Sequence, residues 1–176
     1  MDASLAERMG SHSSDGERGD TRAILDAIRS IVRALRESSR AAEKRLGLSG
    51  AQLFVLLKLS GTRALSLKEL AERTLTHQSS VSVVASKLVD GGFVERAPSR
   101  IDRRRIELTL TRKGRALLGR APEAAQDQLI AAIEALSGPR RRSLAKELRA
   151  LASAMSVSAR VPTMFFEEET PTRRAR

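Results

Sequence analysis

A cluster of arginines carries the strongest chemical signal in this sequence. Five of them fall within residues 96–105: Arg96, Arg100, Arg103, Arg104 and Arg105. Crowded guanidinium groups repel one another by roughly a few tenths of a kcal/mol per close pair, by analogy with like-charged pairs on helices, and bound phosphates would relieve this repulsion. Asp102, the acid inside the cluster, is expected to pair with a neighbouring arginine and fix the loop. The cluster predicts contact with a nucleic-acid backbone, and a solvated charge run is the alternative.

A set of small polar side chains precedes the arginines. Val81, Val84 and Leu88 recur at i, i+3 and i+7, so they should form the buried stripe of a helix. The start and the outward face of that helix then carry Thr76, His77, Gln78, Ser79, Ser82, Val83 and Ser86. Glutamine can pair with adenine, serine with several base edges, and valine with a thymine methyl group, while a histidine near the helix start can reach a phosphate or a guanine. The face has no acid, which favours base readout over an ordinary solvated surface.

The neighbouring elements indicate how these residues would be presented. Residues 66–69 form a capping box that should begin one helix, and Thr76 is a good N-cap for the next. Residues 93–96 and the alternating apolar positions of 106–110 are typical of two strands, and 97–105 would be the hairpin loop between them. A helix, a turn, a second helix and an arginine-rich hairpin describe a winged helix-turn-helix.

Two further apolar stripes lie outside this segment. The first consists of Ile24, Ile28, Ile31 and Leu35, and the second of Leu144, Leu148, Leu151 and Met155. The first predicts an amphipathic helix over about 21–46 that ends at a glycine. Between the stripes, a capping box at 49–52 should begin a compact helix, and Thr111 should cap a helix to about Leu136 that Pro122 kinks or splits. A single winged domain has little surface with which to cover stripes of this length.

The composition of the 176 residues restricts the binding partners and the kinds of catalytic or metal site that the protein can have. A formal net charge of +11 indicates a polyanionic partner, either nucleic acid or an anionic membrane face, unless it reflects an arginine-rich proteome. The absence of cysteine excludes disulfides and thiolate metal sites. Only two histidines are present, and His12 lies in the polar N-terminal stretch, so a histidine triad or metal cluster is hard to assemble. We therefore expect no enzymatic activity, no metal and no cofactor.

The sequence also indicates where in the cell the protein is expected. No apolar run approaches the roughly 18 residues needed to span a bilayer, and the N-terminal segment lacks the apolar core of a signal peptide. We expect a cytoplasmic protein without a membrane partner.

Several short motifs resemble the MarR (multiple antibiotic resistance regulator) family of bacterial transcription factors. The matching segments are LSLKELAER, HQSSVSVVASKL, GGFVER and IDRRRIELTLTRKG. Asp102-Arg103-Arg104 fits the family's Asp-x-Arg wing motif, and residues 110–114 fit the Leu-Thr-x-x-Gly motif that follows it. The resemblance covers about 21–155, and it implies that Asp102 stabilises the wing and that Arg104 enters the minor groove. The implied fold is mostly α (α+β), a winged helix-turn-helix domain with a small β-hairpin wing and long N- and C-terminal dimerisation helices.

The resemblance over 21–155 and the polar composition of the two ends together predict a division of the chain. Residues 1–20 would be a disordered polar tail, 21–48 the N-terminal dimerisation helix, 49–118 the DNA-binding lobe, 119–156 the C-terminal dimerisation helices and 157–176 a flexible tail. The two apolar stripes would then be the dimer contacts.

An effector site is left open by the sequence. Many members of the family bind small, often aromatic, anionic ligands between the dimer helices and the lobe. This chain has no Tyr or Trp, so such a pocket would have to rely on Phe54, aliphatic residues and arginines such as Arg33, Arg36 or Arg40. The cysteine oxidation switch of the peroxide-sensing members is impossible here.

Together these expectations describe a homodimeric, sequence-specific transcription regulator, a repressor rather than an activator. The helix 77–90 would occupy the major groove and the wing 97–105 the minor groove of a palindromic operator in double-stranded DNA. A sequence-indifferent architectural DNA-binding protein, and an adaptor or enzyme that uses this fold without DNA, are the alternatives.

Overall fold

The chain folds into helices around a small antiparallel sheet. The computed structural model describes residues 3–61, 64–99, 102, 104–155 and 163–166, with side chains from residue 16 onward. The helices of this part of the chain are α1 (Ala3–Leu46), α2 (Gly50–Leu59), α3 (Leu67–Thr74), α4 (Gln78–Asp90), α5 (Arg112–Leu118), α6 (Ala125–Glu134) and α7 (Gly138–Ala154). The strands are β1 (Leu65–Ser66), β2 (Val94–Pro98) and β3 (Ile106–Leu110). This is the predicted winged helix-turn-helix between long outer helices.

The sheet has the strand order β1-β3-β2. Strands β2 and β3 form the wing hairpin, with Val94 opposite Leu110 and Pro98 opposite Ile106. The paired strand therefore includes two residues that the sequence assigns to the loop. Ile106 is exposed although its alternation with Leu108 predicts an inward side chain, because it pairs at the far end of the hairpin.

Local sequence signals begin the helices of the lobe as predicted. The Ser49 hydroxyl accepts from the backbone N of Gln52 at 3.3 Å, and the Gln52 side chain accepts from the backbone N of Ser49 at 2.9 Å. Ser66 and Glu69 form the same reciprocal pair, at 3.2 and 2.8 Å. Both capping boxes are confirmed, and the second fixes the start of α3, the helix that precedes α4.

The core of the lobe lies between α2, α3, α4 and the sheet. Val81, Val84 and Leu88 are at most 1% exposed, which confirms the predicted inner stripe of α4. Each fully buried side chain of this kind contributes roughly 1.5–3 kcal/mol. Because this stripe is buried, the opposite face of α4 points outward.

Helix α1 begins earlier than the sequence predicts. The expectation of a disordered tail over 1–20 is wrong from Ala3 onward, because α1 runs without a break from Ala3 to Leu46. Extending an existing helix adds one hydrogen bond per residue fixed and avoids the cost of nucleation. At its other end α1 stops before Gly47, whose φ of +69° suits the predicted glycine ending.

The segment after the wing is split as Pro122 predicts. Helix α5 ends at Leu118, residues 121–124 are not helical, and α6 starts at Ala125. Thr111 caps α5, its hydroxyl accepting from the backbone N of Gly114 at 3.1 Å. On the outer side of the lobe, Lys58 of α2 pairs with Asp127 of α6 and lies 5.1 Å from the centre of the Phe54 ring.

The two outer apolar stripes are exposed, with one exception. Ile24, Ile28 and Ile31 are 36–56% exposed, and the four stripe residues of α7 are 38–65% exposed. Leu35 is only 5% exposed. The prediction that Leu35 contacts a partner subunit is therefore wrong. At that position α1 packs against α2 and α6 of the same protomer.

The expected flexible tail over 157–176 is wrong for residues 163–166. Met164 is buried in the core cluster, and the backbone O of Phe165 accepts a hydrogen bond from the Gln126 side chain at 3.4 Å. The remaining residues of that range lie outside the described part of the chain.

Candidate DNA interface

The turn of the helix-turn-helix consists of Leu75, Thr76 and His77. Leu75 has the left-handed φ of 52°, and the backbone N of Thr76 donates to the carbonyl of Ala71 at 3.1 Å. Thr76 therefore belongs to the C-terminal cap of α3. The prediction that Thr76 caps α4 is wrong: His77 is the N-cap, and its side chain makes no capping hydrogen bond.

The outward face of α4 matches the predicted base-reading surface. His77, Gln78, Ser79 and Val83 are exposed, while Ser82 is half-buried. Over residues 77–86 this face carries no acid and can approach base edges without repelling the phosphates; the exposed Asp90 follows on the same face at the C-terminal end of α4. About one turn beyond Ser82, the Ser86 hydroxyl donates to the backbone O of Ser82 at 2.9 Å.

The structure brings together two residues that the sequence treats as separate DNA contacts. Arg96 of β2 donates through Nη2 to the hydroxyl of Ser86 on α4, at 2.8 Å. In this arrangement both side chains brace the wing hairpin against the helix. The link joins residues ten apart, across the turn between α4 and β2, and no local pattern indicates it.

Asp102 organises the tip of the wing. Its Oδ1 accepts from the backbone N of Arg104 at 3.0 Å, and its Oδ2 lies 3.8 Å from Nε of Arg105. The backbone carbonyls of Asp102 and Arg105 accept from the backbone N of Arg105 and Ser99, at 2.9 and 2.8 Å. The predicted brace is confirmed. The predicted phosphate contacts Arg100 and Arg103 lie outside the described residues.

Among the described wing arginines, Arg104 is the one that remains available for an outside partner. It is exposed, and no carboxylate of the described residues lies within ion-pair distance of its guanidinium. Asp102 holds the Arg104 backbone N and leaves the Arg104 guanidinium without a carboxylate partner in the part of the chain that the structure describes.

A groove joins the wing to the start of α4. It is lined by Ser66, Leu67, Lys68, Glu69, Glu72, Gln78, Arg105 and Ile106. Hydrogen bonds from Ser66 hold the pKa of the Glu69 carboxyl below its ordinary value, and the positive charge of Arg105 lowers it further. The sequence assigned Arg105 to phosphate binding and overlooked its position facing α3, although the capping box does place Glu69 in the first turn of that helix.

The residues suggested for an effector pocket are not brought together. Phe54 is buried in the core of the lobe, whereas Arg33, Arg36 and Arg40 line an open groove along α1 with other residues of the same helix. Within the described ranges, no group of three or more metal-ligating side chains is placed to hold an ion. In the same part of the chain, no helix combines the length and apolar character needed to cross a bilayer.

Comparison with known proteins agrees with this geometry. Residues 46–105 match the model of the MarR family. The HTH-type transcriptional repressor Rv2887 of Mycobacterium tuberculosis is 33% identical over 119 residues, which span 68% of this chain and 86% of that protein. The chain belongs to the MarR family of transcription regulators. A second relative, the HTH-type transcriptional repressor MdtR of Bacillus subtilis, is 30% identical over 88 residues, covering 50% of this chain and 57% of that protein.

Solved structures of the MarR family share the fold. Sco3205 of Streptomyces coelicolor, a MarR family transcriptional regulator solved in complex with DNA, aligns with a TM-score of 0.53 and 24% identity. The alignment covers 85% of this chain and 94% of that one. The winged helix-turn-helix and the long outer helices are thus a MarR architecture.

Proposed function

We propose that this MarR protein is a homodimeric repressor that reads a palindromic operator. Helix α4 enters the major groove with Gln78 and Ser82 toward the bases, and Arg104 enters the adjacent minor groove. The observation that carries the proposal is the acid-free outward face of α4 over residues 77–86, next to a wing in which the Arg104 guanidinium has no carboxylate partner among the described residues. The relatives named as repressors, and the MarR protein solved with DNA, support the same role.

The exposed apolar stripes support the dimer. Helix α7 has 17 residues and buries none of them within the protomer. Most helical stability in proteins comes from packing an apolar face, so α7 needs a partner surface for its stripe. The stripe of α1 from Ile24 to Ile31 is a second such surface. Pairing these helices between two copies would place two α4 helices about one DNA turn apart, ~34 Å.

Selection of binding sites from random duplex DNA at about 150 mM salt tests the proposal. We expect enrichment of a palindrome whose half-sites are roughly 10 base pairs apart. Strong binding without an enriched sequence would instead establish the architectural alternative, and the absence of DNA binding would contradict both.

Two kinds of substitution should then separate base readout from phosphate contact. Arg104→Ala should weaken binding to all sequences and reduce the slope of log K against log salt by about two, one for each protomer. Gln78→Ala should change the preferred sequence. Arg22→Ala is the matched control, since it removes the same charge from an exposed position on α1. Equal effects of Arg104→Ala and Arg22→Ala would refute the wing assignment.

The proposal names no effector. The arginines on α1 form an open groove and Phe54 is closed within the core, so neither provides an enclosed site for a small aromatic anion.

A further inference from the structure

The segment Thr163–Phe166 docks at the junction of three helices. Met164 is 6% exposed and belongs to the same apolar cluster as the core of the lobe. Phe166 lines a small cavity with Leu35 of α1, Leu53 of α2 and Gln126 of α6. The segment thus contacts α2 of the DNA-binding lobe and also the outer helices α1 and α6.

The docked segment combines one strong anchor with two unfavourable features. Gln126 is 8% exposed and donates through Nε2 to the backbone O of Phe165, but its Oε1 has no hydrogen-bond partner among the described residues. A buried acceptor without a partner opposes the docked state. Phe166 has the left-handed φ of 57°, which is unfavourable for a residue with a side chain. Burial of Met164 stabilises the docked segment and opposes these two costs.

The surrounding contacts show what the segment spans. Ser38 of α1 accepts from the backbone N of Ala125, at the start of α6, at 3.1 Å. Gly50, at the start of α2, donates from its backbone N to the Ser39 hydroxyl at 3.1 Å. These few polar bonds join α1 to α2 and to α6, and Met164 and Phe166 add an apolar contact at the same place.

We propose that Met164–Phe166 is a reversible clasp that fixes the orientation of the DNA-binding lobe relative to α1 and α6 and thereby tightens DNA binding. This inference rests on the proposed DNA-binding function. A lobe held in place before binding loses less conformational freedom when both α4 helices engage one operator. The clasp makes no contact with DNA phosphates. Its loss therefore lowers the affinity for DNA without changing the salt dependence of that affinity.

The chain contains no cysteine, so a single introduced thiol reports on docking directly. Met164→Cys and Phe165→Cys place thiols at adjacent positions that are 6% and 54% exposed. With the full-length folded protein and a soluble disulfide reagent, we expect the thiol at 164 to react at least about tenfold more slowly than the thiol at 165. Equal rates would overturn the docking of the segment, and this measurement requires no DNA.

The functional arm compares Met164→Ser with Phe165→Ser and Met164→Leu. On the duplex selected by the wild-type protein, Met164→Ser should bind at least roughly fivefold more weakly with an unchanged salt slope. Phe165→Ser changes an exposed neighbour, and Met164→Leu restores an apolar anchor of similar volume, so both should bind like the wild type. Circular dichroism checks that Met164→Ser is folded; where it is not, the DNA affinity of a folded Met164→Ala is compared instead, with the same expected weakening. Affinity of a folded Met164→Ser within twofold of wild type would overturn the clasp, whereas failure of the wild type to bind DNA would overturn the proposed function instead.

Discussion

Replacing Gly114 with alanine should destabilise this protein, whereas the same replacement at Gly119 should not. Gly114 lies inside α5, pressed against the residue that leads into the wing. A Cβ at this position would lie 2.2 Å from the carbonyl O of Phe93 and 3.2 Å from its carbonyl carbon. At Gly119 the nearest atom to a new Cβ is the carbonyl O of Ala116, at 3.6 Å, and φ is −60°. Gly119 therefore accepts a side chain and Gly114 does not.

The magnitudes follow from these contacts. Overpacking a filled site costs about 1–3 kcal/mol, and a 2.2 Å approach to rigid backbone corresponds to the upper end of that range. Replacing a helical glycine recovers about 0.5–1 kcal/mol, so Gly114→Ala should lose about 2 kcal/mol net. For a domain of this size, that loss lowers Tm by roughly 4–8 °C. Gly119→Ala should be neutral or gain up to about 1 kcal/mol, because alanine restricts the unfolded chain.

Thermal unfolding followed by circular dichroism checks both variants. All proteins must be compared at one concentration, since dimerisation makes Tm depend on concentration. If Gly114→Ala melts at the same temperature as Gly119→Ala, the close packing of α5 against Phe93 is refuted.

Three further outcomes are expected. Leu88→Ala should lower the free energy of unfolding by about 2–5 kcal/mol in urea titrations, because Leu88 is fully buried; a loss below about 1 kcal/mol would contradict its core position. Ser66→Ala should cost about 0.5–2 kcal/mol at pH 7 by removing a cap. The Ser66 hydroxyl also donates to the Glu69 carboxylate, which lowers the pKa of Glu69 below 4.5 in the folded state. This part of the contribution is present above pH 4.5 and is lost as pH falls through the lowered pKa, whereas the bond from the Glu69 backbone N to the hydroxyl does not titrate; urea titrations at pH 7 and pH 3 should show the difference from wild type shrinking. Finally, a dimer that neutralises on the order of 6–10 phosphates should lose about 10³–10⁵ in DNA affinity between 50 and 200 mM salt, and a flat response in fluorescence anisotropy would exclude phosphate contacts of that number.

Features determined by neighbouring residues could be predicted from the sequence. The capping boxes at Ser49 and Ser66 and the Thr111 cap each join residues three apart. The inner stripe of α4 and the Asp102 brace are likewise local, because periodicity or a two-residue hydrogen bond defines them. These features are sufficient to place α4 and the wing.

Features that depend on distant packing were missed or wrong. Strand β1 has two residues and exists because Leu65 and Ser66 pair with Leu108 and Glu107 of β3. Leu35 has the same spacing as the exposed isoleucines before it, and only the packing of α2 and α6 removes it from the stripe. Met164 is an isolated apolar residue whose burial depends on a surface made by other helices. No local pattern distinguishes such residues from loop or tail.

The exposed stripes of α1 and α7 have a genetic consequence if they pair as proposed. A subunit with Arg104→Ala keeps both stripes, so it would still combine with wild-type subunits made in the same cell. Random pairing of equal amounts leaves only about a quarter of the dimers with two intact wings. Such an allele should therefore be dominant over wild type in a cell that carries both copies. A subunit that loses Leu148 and Leu151 would remain outside the mixed dimers, and its allele should be recessive.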